Sequence, residues 1–308
     1  LPGRTEAVST QDNTPIVDAV VIGHFAKDSI IYRGKEQIAS GGSVYYGALT
    51  IRRLGLRVAV ITRLAPADFP RLGELEEAGI LVYAQAAEQT SGIENTYFTE
   101  DMDRRRTRPL GFAGSFCIED VPDIEAKLWL IGPIMAGEVD MSLLRAISAK
   151  GPVALDAQGF VRVREGDQLL FRDWPEKRAG LPYVRYLKVD SAEAEVLTGR
   201  TAPREATMVL AGFGVPEVVL THAQGVLVLA GGAYYEAPFT PREIRGRTGR
   251  GDTCFAAYLA KRLSAPPGEA CRFAALVASR KLEAPGPLRG FEDRIIVGPS
   301  PMVQPRSE

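Results

Sequence analysis

Residues 248–254, Thr248-Gly249-Arg250-Gly251-Asp252-Thr253-Cys254, run directly into the helical apolar pattern Phe255, Leu259, Leu263. Two glycines let the backbone turn sharply and come close to a ligand. The helix expected from near Asp252 turns its unpaired N–H groups back toward that turn, and such a terminus is an anion site. A carboxylate at the mouth of an anion site repels a resting anion. It makes chemical sense if the anion is a phosphoryl group in transfer and the carboxylate steers the attacking hydroxyl.

Around this stretch lies an ordinary globular sequence of 308 residues, 45% hydrophobic and 24% charged. Its net charge of −1 gives no bulk electrostatic footprint for nucleic acid or membrane. Cysteines 117, 254 and 271 are odd in number without a CxxC spacing, as expected of reduced thiols in a cytoplasmic protein. Residues 1–15 have no apolar segment of the signal-peptide kind and read as a loose lead-in; residues 299–308 read as a flexible tail. Residues 208–235 carry one charge, Glu217, but their glycines and Pro216 favour two short buried strands over a membrane span.

Apolar strand-like runs alternate with helical patterns. Strands are expected at 17–22, 58–62, 128–131, 153–156, 186–189 and 218–221. Helices are expected at 44–54 before Gly55, 71–78 before Gly79, 141–149 and 192–197. The alternation predicts an α/β fold with a central, mostly parallel sheet covered on both faces. Segments 29–38 and 93–108 break it and predict a small sheet set apart, as a lid would be. Val226–Leu229 and Tyr234-Tyr235 flank Gly231-Gly232 and predict a hairpin. A single domain over 16–298 follows, with lid segments near 29–40 and 91–112.

There is no GxxxxGK[ST] loop, and the turn after the first strand, GHFAKD, lacks the GxGxxG spacing. What remains, over roughly 17–287, resembles the ribokinase/PfkB family of carbohydrate and nucleoside kinases. VIGHFAKD resembles that family's first strand and substrate-binding Asp, here Asp28; Gly41-Gly42 resembles its glycine pair. VALDAQGF resembles its central Asp-containing strand. LKVDSAEAEVL resembles its Lys-x-Asn-x-x-Glu element, with Lys188, Asp190 and Glu193. TGRGD resembles its anion hole, and ASRKLEAPGP a helix bordering the adenine pocket. Motifs of this kind in the family's order make the resemblance specific.

The resemblance implies a ribokinase-like fold with a β-sheet lid. The implied activity is transfer of the ATP γ-phosphoryl group to a sugar or polyol hydroxyl, with ATP and Mg²⁺ as cofactors. A nucleoside acceptor is the nearest alternative, and a non-catalytic ligand-binding or regulatory protein the alternative of another class. No nucleic-acid or membrane partner is expected; monomer and homodimer are both open. Asp252 is the expected base, with the N–H groups of Gly249, Arg250 and Gly251 holding the phosphoryl oxygens. The plainer role for Asp252 is a helix cap. Asp28, Gly41, Gly42 and Tyr46 are expected at the acceptor, and Lys188, Thr221, Gly225 and Ser279 at the nucleotide. Glu193 and Asp190 are expected to organise Mg²⁺, with a capping box as the alternative. Arg104-Arg105-Arg106-Thr107-Arg108 either grips a phosphorylated substrate or forms a solvated hairpin face. His24 and His222 read as structural, and Cys254 as a buried helical residue.

The chain departs from the family at four points. Tyr46 stands where Asn is common, Asp190 replaces Asn, Arg250 enters the anion hole, and Gly246-Arg247 replaces the Asp-Thr of cation-activated members. Activity is therefore expected to be insensitive to K⁺, with Arg247 or Arg250 supplying the charge the ion gives elsewhere.

Overall fold

The computed structural model describes residues 14–97 and 105–290. The expected tails, including 1–13 and 299–308, and Arg104 of the arginine run therefore lie outside the described residues. The main sheet has nine strands. In spatial order they are Ala233–Pro238, Gly225–Ala230, Glu217–Thr221, Tyr186–Asp190, Val153–Asp156, Trp129–Ile131, Ala19–Ile22, Val58–Leu64 and Leu81–Ala86. The last seven run parallel; the 225–230 and 233–238 hairpin is antiparallel at one edge.

Side chains alternate across each strand, and here both faces are buried. Ala19, Val21, Val58, Val60 and Val219 pack under helices Ser43–Arg53, Arg250–Arg262 and Pro267–Leu282. Val20, Ile22, Ala59, Ile61 and Leu220 pack under Met141–Lys150, Ser191–Thr198 and Pro203–Ala211 on the other face. The 208–235 stretch divides into two buried strands, and no helix among the described residues is long and apolar enough to cross a membrane.

A second, four-stranded sheet has the order Lys35–Gly41, Ala26–Tyr32, Gly92–Tyr97, Arg105–Gly111. The expected 29–38 segment is two strands of this sheet, reversed at Arg33-Gly34, where both residues have positive φ (51° and 73°). Two local expectations differ. Residues 66–72 form a 3-10 turn with Pro70 inside it, which confines the 71–78 helix to Gly73–Glu77. A hairpin of Arg162–Glu165 and Gln168–Phe171, turning at Gly166, was not expected from the pattern.

Helix Arg250–Arg262 is clamped to the sheet from below. Glu217 accepts from the Tyr258 hydroxyl (2.5 Å) and from both Arg262 Nε and Nη2 (3.0 and 2.7 Å). Glu217→Ala leaves a buried hydroxyl and a half-buried guanidinium without their acceptor. We expect a stability loss of roughly 3 kcal/mol or more, measured by urea unfolding; a loss below about 1 kcal/mol would mean the clamp contributes no more than a surface pair.

Candidate active site

The carboxyl ends of the parallel strands open toward the small sheet, the edge at which open α/β sheets bind ligands. A cavity of about 460 Å³ lies there. The small sheet contributes Asp28, Ile93 and Asn95; the main body contributes Gln158, Lys188, Asp190, Thr221 and the whole stretch Arg247–Asp252. Most of the expected site residues thus come to one place. Asp28 reaches it from within strand Ala26–Tyr32 of the small sheet rather than from the end of the first main strand.

The helix begins at Arg250, two residues earlier than expected, with Gly249 as its cap in the left-handed region (φ 78°). A Cβ on Gly249 would lie 2.3 Å from the Tyr46 ring. Positive φ and this contact both require glycine. Tyr46 is thereby placed behind the turn, 3% exposed, and does not line the cavity expected to hold the acceptor. The Arg250 N–H is turned back to the Arg247 carbonyl at 3.3 Å. Gly251 and Asp252 N–H have no backbone acceptor among the described residues, so they, rather than Arg250, are the free donors at this terminus.

Asp252 sits in the first turn of the helix and accepts at Oδ1 from Ser43 Oγ at 2.5 Å. Ser43 was not singled out from sequence, although it directly follows the glycine pair. Across the cavity Asp28 accepts at Oδ1 from the Ile93 N–H at 2.9 Å. A Cβ on Gly41 would fall 2.4 Å from Asp28 Oδ2, so that glycine makes room for the carboxylate. Burial, more than any neighbour, pushes Asp28 up to about 6.

Behind the cavity lies a buried charge network. Lys188 Nζ is 3.1 Å from Asp156 Oδ1 and 3.3 Å from Glu193 Oε2; Arg162 Nη2 is 3.3 Å from Glu193 Oε1. Burial acts to lower the Lys188 pKa, but Asp156 and Glu193 outweigh it and hold the ammonium above its usual range. Asp156 is raised, chiefly by burial. Glu193 and Asp190 form a reciprocal capping box, each accepting at 2.8 Å from the other's N–H. Both Glu193 oxygens are engaged and the residue is fully buried, so it is not positioned as a direct Mg²⁺ ligand. Among the described residues no group of three His, Cys, Asp or Glu could hold an ion. Asp190 alone of the pair lines the cavity.

The nucleotide-side expectations separate. Lys188 and Thr221 line the cavity; Gly225 and Ser279 do not. Ser279 is 2% exposed, donating to the Ala275 carbonyl (2.6 Å) and accepting from the Thr240 N–H (2.9 Å). Arg250 lies with its guanidinium 5.3 Å from the Phe239 ring centroid, and Phe239 N–H is tied to the Gln224 carbonyl at 2.7 Å. Arg106 and Arg108 are exposed, pairing with Asp167 (3.5 Å) and Glu94 (2.6 Å), away from the cavity lining. His24 is buried against Ser91, Glu138 and two phenylalanines. Burial pushes the Cys254 thiol up to about 12, which leaves it unreactive.

This combination, a Gly-capped helix start with a carboxylate in its first turn facing a second carboxylate across a polar cavity, is that of a phosphotransferase of the ribokinase fold. A family model for pfkB family carbohydrate kinases matches residues 165–294. A pyrophosphate-dependent kinase in the ribokinase family, solved as a sulfate complex, is 39% identical, with a TM-score of 0.83 over 88% of this chain and 97% of its own. A second structure, a pyrophosphate-dependent kinase of the same family with a pyrophosphate analog and myo-inositol, matches with the same values. The Arabidopsis thaliana ribokinase solved with ribose and ATP shares the fold, at 18% identity and a TM-score of 0.71 over 89% of this chain and 95% of its own. A cytidine kinase of Thermococcus kodakarensis is 26% identical over 268 residues, 83% of this chain and 92% of that protein. The chain belongs to the ribokinase family of PfkB carbohydrate kinases, and it is a kinase of the carbohydrate and nucleoside class.

Gly249→Ala tests the turn. The Cβ must displace Tyr46 or the turn itself. We expect turnover to fall by at least about 100-fold, the scale of a lost oxyanion-type donor, with a lowered Tm. Wild-type turnover would show that the close approach to Tyr46 is dispensable.

Proposed function

We propose that the protein phosphorylates a hydroxyl of a small polyol, of the inositol kind, using pyrophosphate as the phosphoryl donor. The observation that carries the donor assignment is the wall of the cavity. On the side of the 247–252 turn it is Lys188, Asp190, Thr221, Arg247, Thr248 and Arg250, all polar or charged; the apolar lining, Ala26, Ile93 and Ile134, is elsewhere. A nucleobase needs an apolar or aromatic slot to bury its faces. Ser279 and Gly225, which would border one, are closed in by the 237–240 segment. A short, highly charged donor needs cations instead, and a guanidinium binds phosphate through a planar fork. The 39% identity to the pyrophosphate-dependent kinases supports the same reading.

In this reading the acceptor lies between Asp28 and Asp252. Asp28 accepts hydrogen bonds from its hydroxyls and fixes its orientation. Asp252, held by Ser43, accepts the hydrogen bond of the reacting hydroxyl and takes its proton late in transfer. The N–H groups of Gly251 and Asp252, with Lys188, Arg247 and Arg250, meet the transferred group and the leaving phosphate. A magnesium ion would supply further charge neutralisation, arriving on the donor and meeting Asp190 at the cavity wall. The small sheet covers the acceptor from water. Three free cysteines, two of them buried, support a cytoplasmic location.

Three measurements test this. With matched Mg²⁺, kcat/KM for pyrophosphate should exceed that for ATP by roughly 100-fold, a difference of about two factors of ten in transition-state binding; the reverse preference would overturn the donor assignment. Asp252→Asn should reduce kcat by ~10²–10⁴-fold while the fold is retained, and a variant with half the wild-type rate would remove Asp252 as base. Since Asp28 titrates at about 6, protonation as pH falls through that value removes its charge. The acceptor KM should therefore rise below pH 6 and be flat above it. Asp28→Asn should abolish this dependence and raise KM by about tenfold to a hundredfold, the worth of a charged hydrogen bond.

A further inference from the structure

The last turn of helix Pro267–Leu282 carries a buried cation that the transfer scheme does not use. Lys281 is 2% exposed. Its Nζ donates to the Gly246 carbonyl at 2.9 Å and lies 5.6 Å from the centroid of the Tyr46 ring. Among the described residues no carboxylate is within ion-pair distance of it. A buried ammonium without a counter-ion is costly and survives where something compensates it. The two groups that compensate it are the two supports of the anion-hole turn. Gly246 opens that turn, and its N–H and that of Arg245 are stitched to the Leu282 carbonyl at 3.1 and 2.9 Å. Tyr46 backs the turn at Gly249.

We propose that Lys281 is a positioning residue for phosphoryl transfer: a tethered cation, behind the 246–252 turn, that holds the turn's entry and adds positive potential beneath the transferred group. This deepens the transfer reading of the turn and rests on it. The site is also reachable. A second cavity, of about 510 Å³, is bordered by Lys281, Tyr46 and Gly246 on one side and by the small sheet on the other.

Burial lowers the Lys281 pKa to about 8, opposed by the charge of Asp252 on the neighbouring helix. The small sheet presents Tyr32, Lys35 and Glu36 across the cavity; the turn presents Arg245 and Arg247. Helix Ser43–Arg53 presents Tyr45 and Tyr46, both raised by burial and neutral throughout this range. The charged form of Lys281 is present below its pKa and is lost as pH rises through it. In free enzyme the loss should therefore appear on the alkaline side, near pH 8.

The test uses Lys281→Met, which keeps the length of the side chain without its charge, and Lys281→Arg, which cannot deprotonate. Lys281→Met should lose at least about tenfold in kcat, with acceptor KM unchanged, as expected of an interaction felt in the transition state. Lys281→Ala opens a gap where the side chain stood; in that variant ammonium or methylammonium chloride should restore part of the lost rate, while an equal concentration of tetraethylammonium, too bulky for the gap, should not. In wild type, kcat/KM for the donor should fall above about pH 8, and this limb should be absent in Lys281→Arg after the same donor ionisation is divided out. Rates of Lys281→Met within twofold of wild type, or a loss in Lys281→Ala that no small cation restores, would overturn the proposal. If Lys281→Met does not fold, an alkaline limb shared unchanged by wild type and Lys281→Arg would do the same. An inactive Asp252→Asn beside a fully active Lys281→Met would remove this inference alone, whereas an active Asp252→Asn would remove the transfer reading beneath it.

Discussion

The structure hangs on the contact between Gly249 and the Tyr46 ring. It lies where helix Ser43–Arg53 and the start of helix Arg250–Arg262, packed side by side on one face of the main sheet, meet at the site. Without a Cβ at Gly249 the turn seats against the ring, its φ stays positive, and the following helix starts with Gly251 and Asp252 N–H groups unspent. The same pair of helices brings Ser43 to Asp252. One approach distance therefore sets the donor groups, the carboxylate and the hydroxyl that orients it. The Glu217 clamp fixes the same helix further along, so the site end inherits the rigidity of the sheet.

The second constraint is electrostatic. The carboxyl ends of the strands gather Asp156, Lys188, Glu193 and Arg162 in surroundings where isolated charges are heavily penalised. Each acid there meets a base, and Glu193 also caps its own helix. The network leaves Lys188 charged at the cavity and engages both carboxylate oxygens of Glu193. Arg247 and Arg250 line the same cavity. The cavity thus carries its cations on the protein.

The fold was legible where burial imposes a pattern. Strand 153–156 agrees with the expected bounds because both its faces are buried, and the expected hairpin forms about Gly231-Gly232, with strands longer than the apolar runs that announced it. The short helix expected at 71–78 is present but trimmed to Gly73–Glu77, because the 3-10 turn that precedes it, with Pro70 inside, runs on to Leu72. The hairpin at 162–171 is half exposed and has no strict alternation to betray it. In the site, Asp252, Gly249, Asp28, Gly41 and Lys188 were legible because each stands in a motif with a physical reason for its residue type. Ser43, Arg162 and Lys281 were not, since their roles come from elements 30 to more than 200 residues away in sequence. Glu193 shows the limit in the other direction: the same Asp-x-x-Glu spacing fits a capping box and a metal site, and the sequence alone does not show that the carboxylate caps its helix.

Donor choice follows from how a cavity can spend its surface. A nucleotide contributes most of its contact area through its base and ribose, so a nucleotide site devotes a slot to them and needs only a few groups at the phosphates. Here the ground on the Ser279 side of the turn is taken by protein. The Ser279 hydroxyl and the Thr240 N–H satisfy each other, and the Phe239 ring carries the Arg250 guanidinium. An arginine in that position gives up water, and burial lowers its pKa from the usual value. A bound anion relieves that penalty, and a denser anion relieves it more. In the proposed reading, the filled ground beside Ser279 leaves a nucleotide base no slot there, and the Arg250 guanidinium adds to the contacts by which a bare polyphosphate would be held.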